Sequence, residues 1–220
     1  MIRKLLVLAA LLGAGCRTLP FPDPHYEGRY GQVLKKWTRT AAVYSGLETR
    51  AFVRVVYLSD EFVSGQAAEL ADLRAEKPDQ ATETAEKMRD QYRAPTIFAV
   101  VYVPDKTAND WNERDSVWRI ALNLGIGEHA PDKVERFDRP FNAELKALYP
   151  YLDEYSVAYR IRFPEPSPTG SERFTATDVE LVVAGAPGKM VFHWSLDGRG
   201  EDGVQSQGGP SNQPATSPKP

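Results

Sequence analysis

Apolar residues alternate with polar ones in several short runs, tight links join two pairs of these runs, and only one stretch favours helix. Together these features predict a mainly β chain: an immunoglobulin-like antiparallel β-sandwich of about eight strands with a two-helix insertion. A closed β-barrel is the alternative. Barrels favour evenly spaced strands, whereas here residues 59–95 separate the second predicted strand from the third.

The first pair of runs, "KWTRTAAVY" and "LETRAFVRVVYL", flanks Ser45 and Gly46, a two-residue link suited to a tight hairpin. Residues 59–93 then change character and read as two helices broken at Lys77 and Pro78. Ser59 is placed to cap the first, whose stripe is Phe62, Ala67, Leu70 and Leu73; Ala81, Ala85, Met88 and Tyr92 form the second. Their other faces are acidic, so both are expected to pack on a sheet rather than lie on a membrane.

The run "TIFAVVYV" is apolar on both faces and belongs mid-sheet with both sides covered. In "VWRIALNL", Trp118, Ile120, Leu122 and Leu124 share the inward face. A short strand follows at "DKVERF". In "YSVAYRIRF", Tyr155, Val157, Tyr159, Ile161 and Phe163 point one way and Arg160 and Arg162 the other. Finally "DVELVVA" and "KMVFHWS" flank "GAPG" as a second hairpin.

The ends differ in kind from this middle. Arg3 and Lys4, an apolar run over residues 5–12, and the small residues Gly13, Ala14 and Gly15 have the build of an export signal, so residues 1–15 are read as a signal peptide. Eight apolar residues are too few to span a bilayer, which takes about 20. Cys16, the only cysteine in the chain, follows directly. This arrangement resembles the lipobox of bacterial lipoproteins, which implies a diacylglyceryl thioether on Cys16 and anchorage through that lipid. Arg17 after the cysteine, by the same resemblance, points to the outer membrane; which face of that membrane stays open. Gly13 stands where the lipobox usually has an aliphatic residue, and Gly13 with Gly15 also suits ordinary signal peptidase, whose product is a soluble secreted protein.

Residues 16–29, with Pro20, Pro22 and Pro24, read as a stalk, and residues 30–196 as the sandwich domain. Residues 197–220 carry only Val204 and Ala215 as aliphatic side chains. Such a tail buries too little to offset the cost of ordering backbone, about 1–2 kcal/mol per residue, and is expected to be disordered.

Charge removes some partners. Without Arg3 and Lys4 the chain keeps 25 basic against 30 acidic side chains, a net of −5 with no basic block. Nucleic acid is therefore not an expected partner. With a single cysteine, stability has to come from packing.

The chemical motifs are sparse. "LGIGEHAP" spaces Gly125, Gly127 and Ala130 like a dinucleotide fingerprint, but a strand-like segment follows where the fingerprint needs a helix, so no nucleotide is expected. "DKTANDWNERD" is rich in oxygen ligands yet lacks the glycine and final glutamate of a calcium loop. His25, His129 and His193 lie far apart, and no zinc pattern occurs, so no cofactor is expected. His129 beside Glu128 is the one candidate acid–base pair. Asp153 and Glu154 are neighbours on an extended segment and point apart, unlike a glycosidase pair. The loop aromatics Trp111 and Tyr149 are candidate contacts for a sugar or other small ligand.

Across residues 37–195 the chain resembles a group of uncharacterised lipoproteins of Gram-negative bacteria with a sandwich-like domain. Trp37, Thr38, Arg39, the hairpin at residues 44–49, Phe62, Trp118, Pro131, Pro150 and Tyr159 carry the likeness. It implies an envelope address and a sandwich, and brings no catalytic motif. The leading expectation is a non-catalytic envelope lipoprotein with a structural, assembly or protein-interaction role and an envelope protein as partner. The alternatives are an envelope module that binds carbohydrate or another small ligand, and a periplasmic hydrolase built on His129.

Overall fold

The structure is a computed structural model. It describes residues 24–125, 127–137, 139–165 and 177–196, and the backbone of 204–208. The segment read as a signal peptide, Cys16 and most of the segment read as a stalk lie outside the described residues. No described helix is long and apolar enough to cross a membrane.

The chain enters through helix α1 (Gly28–Trp37), whose Tyr30, Leu34 and Trp37 recur at spacings of four and three and are all buried. Lys35 and Lys36 in its last turn complement the helix dipole. Strands β1 (Thr38–Ser45) and β2 (Glu48–Tyr57) form the first hairpin. Ser45 pairs with Glu48, so the link is Gly46–Leu47, one residue later than the sequence pattern suggests. Gly46 takes φ +61°, a conformation that favours glycine.

Helices α2 (Asp60–Leu73) and α3 (Pro78–Gln91) occupy the expected insertion. The Phe62 amide donates to Ser59 Oγ at 3.1 Å, which gives α2 the expected cap. Its stripe holds Phe62, Ala67 and Leu70, whereas Leu73 faces solvent. Helix α3 buries no residue fully, and only Met88 and the following Tyr92 pack against the core.

Strand β3 (Thr96–Tyr102) runs mid-sheet between β2 and β7 (Val157–Arg162) and is buried on both faces. After it come β4 (Trp118–Asn123), the two-residue β5 (Glu128–His129), β6 (Lys133–Phe137) and the short helix α4 (Ala143–Leu148). The last hairpin is β8 (Asp178–Gly185) with β9 (Gly188–Ser195).

One antiparallel sheet has the order β1-β2-β3-β7-β6; the other runs β9-β8-β4-β5, with β10 (Val204–Gly208) added along β9. Among the described residues no strand pairing joins the two sheets, so the fold is an open sandwich and not a closed barrel. Eight of the ten strands are those expected from sequence. The further two, β5 and β10, are short.

Between the sheets, Ile97, Ala99, Val101, Tyr159 and Ile161 meet Leu122, Leu181, Phe192 and Trp194 in one apolar core. The outer face of the first sheet carries Phe98, Val56 and Ala158, also buried, beneath the helices and residues 149–152. This helical cover explains why "TIFAVVYV" lacks a polar face. The second sheet alternates buried and exposed residues along β8 and β9, as expected where one side meets water.

Three expectations need correction. Tyr155 does not share the inward row of β7: it is 67% exposed. Asp153 Oδ1 accepts the amides of Tyr155 and Ser156 at 2.9 and 2.8 Å, which holds Tyr155 in a turn before the strand begins. The stalk is shorter than residues 16–29, because α1 starts at Gly28. The segment expected to be disordered contains β10, which pairs from Val204↔Phe192 to Gly208↔Gly188. The free edge of β9 supplies backbone donors and acceptors, a gain that side-chain composition does not reveal.

At Gly185 a Cβ would stand 2.1 Å from the Val117 carbonyl oxygen. That carbonyl is backbone one residue before Trp118, which opposes Gly185 in the β4–β8 ladder. Gly185→Ala is expected to cost about 1–3 kcal/mol, the range for overpacking. Urea unfolding would show this as a lower midpoint at an unchanged slope.

Candidate functional site

Trp111 follows a short 3-10 turn (Lys106–Ala108) in the β3–β4 connection. It is not an exposed loop tip: at 3% exposure it is packed inside, stacked on Tyr159 with ring centroids 5.6 Å apart and tilted to Trp118 at 6.4 Å. The surrounding polar groups hold one another. Tyr159 Oη donates to the Asn109 carbonyl at 2.8 Å, Asn109 Nδ2 donates to the Val101 carbonyl at 3.2 Å, and Trp118 Nε1 donates to the Ala108 carbonyl at 2.8 Å. Burial pushes the Tyr159 phenol up to about 12, so it stays a neutral donor at physiological pH. The loop is a plug that closes one corner of the sandwich. Trp111 Nε1 itself is shielded and has no hydrogen-bond partner among the described residues.

Tyr149 is likewise interior. At 2% exposure its ring stacks on Phe98 at 3.9 Å, and its hydroxyl accepts from Gln66 Nε2 at 2.9 Å. Burial drives its phenol pKa far above the ordinary value. The sequence reading offered both aromatics as candidate ligand contacts. Long-range packing, against Tyr159 and against Phe98 with Gln66, buries both.

The other motifs resolve into local structure. Asp105 Oδ1 accepts from the Thr107 amide and hydroxyl at 3.0 and 2.6 Å, and these bonds hold its carboxyl below the usual range. Asp110 accepts from Ser116 Oγ at 2.9 Å and the Val117 amide at 3.0 Å. Asp105 and Asp110 thus serve the turns of their own loop. Gly125 and Gly127 have φ of +88° and +115° and lead into β5, a strand where a dinucleotide site needs a helix. Among the described residues no three His, Cys, Asp or Glu side chains gather as a metal set.

The histidines sit on separate elements. His25 is exposed beside Glu27, and His193 lies on the solvent face of β9, 3.4 Å from Glu180. His129 and Glu128 occupy adjacent positions of β5, so their side chains leave opposite faces. Glu128 turns to Arg119 at 3.4 Å. The candidate acid–base pair is not brought together.

A larger concave surface lies elsewhere. At one end of the sandwich the β1–β2 hairpin, the segment after β3 and the β8–β9 turn surround a cleft of about 840 Å³. Its walls include Tyr102, Val103, Pro104, Ala108, Ala186 and Pro187, and its charged side chains are Glu48, Arg50 and Asp105. Arg50 pairs with Glu48 at 3.0 Å. Three apolar side chains stand exposed at this end: Leu47, which is wholly uncovered, Tyr44, and Val117, whose carbonyl lies against Gly185. Nothing in the composition of the hairpin marks this surface. The one signal was Leu47, an apolar residue next to a predicted turn.

Comparisons with protein-family models, with curated proteins and with solved structures find no match to this chain.

Proposed function

We propose that the protein is a non-catalytic lipoprotein of the bacterial cell envelope, held at the outer membrane through Cys16, whose sandwich domain works by protein contact at its hairpin end. The observation that carries this reading is the wholly exposed Leu47 beside a cleft of mixed polar and apolar walls. A solvated leucine gains nothing for the folded monomer. Covering one contributes about 1.5–3 kcal/mol, which makes it an effective contact residue. The signal-like leader and lipobox-like Cys16 support the address. The internal bonding of the Trp111, Asp105 and Asp110 loop supports a structural rather than a chemical role for those groups.

Photo-crosslinking in intact cells tests this. A photoreactive side chain in place of Leu47 is expected to capture one defined envelope protein, and one in place of Lys87 on the far helix α3 is not. Equal, diffuse labelling from both positions contradicts the reading.

A further inference from the structure

Helix α3 is held far more loosely than its neighbour. Helix α2 buries Phe62, Val63, Gln66, Ala67, Leu70 and Ala71, whereas α3 buries no residue along its whole length. The inward side of α3 offers only Ala81, Thr84, Ala85 and Met88, followed by Tyr92, each of them half-buried. Its polar bonds are mostly local. Gln80 Oε1 accepts from the Lys77 amide at 3.0 Å, Glu83 pairs with Lys87 one turn on, and Thr84 Oγ1 donates to Glu76 at 2.7 Å. The hydrogen bond that ties the segment to a sheet is the one from Arg160 Nη1 to Tyr92 Oη at 3.2 Å. Arg93 adds an exposed ion pair with Glu165 at 3.9 Å.

The chain is clamped on either side of this segment. Arg74 donates to both carboxylate oxygens of Glu144 on α4, at 2.7 and 2.9 Å. The Pro95 carbonyl accepts from the Phe163 amide at 2.9 Å, just before β3 begins.

We propose that residues 77–93 are a lid latched by Tyr92, which leaves the domain and unfolds as one unit while α2 and both sheets stay in place. Conformational entropy favours release of every residue in the segment, and the half-buried alanines, Met88 and Tyr92 offset little of it. A polar helix of this length is marginal in water, so α3 does not persist as a helix once it is off α2. The two clamps confine the opening to the lid.

Opening changes one surface. Gln91 and Tyr92 form a wall of a cleft of about 200 Å³, which is otherwise lined by Thr96, Lys133, Glu135, Arg160 and Arg162. With that wall gone, Arg160 Nη1 is released from Tyr92 as a charged donor. The guanidinium keeps its position, because Glu135 Oε2 accepts from its Nε and Nη2 at 3.2 and 2.6 Å. The open form thus presents Lys133, Arg160 and Arg162 on a face that the closed form covers in part.

Native-state hydrogen exchange of the full mature chain, carrying Cys16→Ser to keep it off the membrane, tests the lid. The amides of residues 82–91 are expected to exchange together, with protection roughly 100-fold or more below that of residues 64–71 in α2 and 97–102 in β3. Their urea dependence should be the shallower, since opening exposes less surface than global unfolding. Tyr92→Phe keeps the ring and removes the acceptor. It is expected to speed residues 82–91 roughly three- to tenfold, the range for one hydrogen bond, with α2 and β3 unchanged. Protection of residues 82–91 equal to that of α2 and β3, or exchange only at urea concentrations that also open β3, overturns the proposal. So does fast exchange that Tyr92→Phe leaves unaltered, or a variant that speeds all three elements alike.

Discussion

Trp194→Ala is expected to unfold the domain at much lower denaturant than the parent chain. The indole is almost wholly buried in β9, lies 5.9 Å from Tyr57 and 6.4 Å from Phe192 between ring centroids, and has Arg39 over its face at 5.7 Å. Its Nε1 donates to the Trp37 carbonyl at 2.8 Å, and so joins the second sheet to the point where α1 passes into β1. Truncating a buried tryptophan costs about 3–5 kcal/mol, and leaving a buried carbonyl unpaired adds about 1–3. Against a total stability of about 5–15 kcal/mol this is a large fraction. With a urea slope of about 2 kcal/mol per molar, the midpoint falls by roughly 2–4 M. Trp194→Phe keeps most of the packing and loses the donor, so its cost should lie nearer the hydrogen-bond range alone. A loss under about 1 kcal/mol for the alanine variant would mean that the seam between Trp194 and Trp37 is not a part of the folded core.

The second large effect concerns address. Cys16→Ser is expected to move the protein from the membrane pellet to the soluble periplasmic fraction, with its folding unchanged. Each buried methylene of an acyl chain contributes about 0.8 kcal/mol, so two chains anchor a protein stably and none hold it once the thiol is gone. The mature chain is acidic, with no basic block for anionic headgroups to retain, and no described helix can span the bilayer. Folding is insulated because Cys16 precedes the first described element, α1 at Gly28. Fractionation with immunodetection checks both parts. A serine variant that stays in the pellet at high salt would show that the lipid is not the anchor.

What could be read from the residues was the part governed by short-range periodicity. Val157, Tyr159, Ile161 and Phe163 alternate inward in β7, and Trp118, Ile120 and Leu122 do so in β4, because a strand whose one face meets the core has to show period two. Ser59 was legible as a cap because its hydroxyl serves an amide three residues on. The misses depend on longer range. Helix α1 carries a four-and-three spacing at Tyr30, Leu34 and Trp37, but it follows a proline-rich run that reads as stalk. Trp111 was a candidate contact because it sits in a loop; what buries it is Tyr159, forty-eight residues later. Tyr149 is fixed by Gln66 from the helical insertion, eighty-three residues earlier. The hairpin end was hidden by a shift of one residue. With Ser45 and Gly46 as the link, Leu47 belongs to a strand; with Gly46 and Leu47 in that place, it becomes the most exposed leucine of the described residues.

A tethered domain that acts by contact depends first on the tether. Intact-mass analysis of the protein extracted in detergent from its own envelope addresses that directly. The account predicts a chain that begins at Cys16 and carries a diacylglyceryl group on its sulfur. A chain with the leader still attached, or one with a free thiol at Cys16, would contradict it.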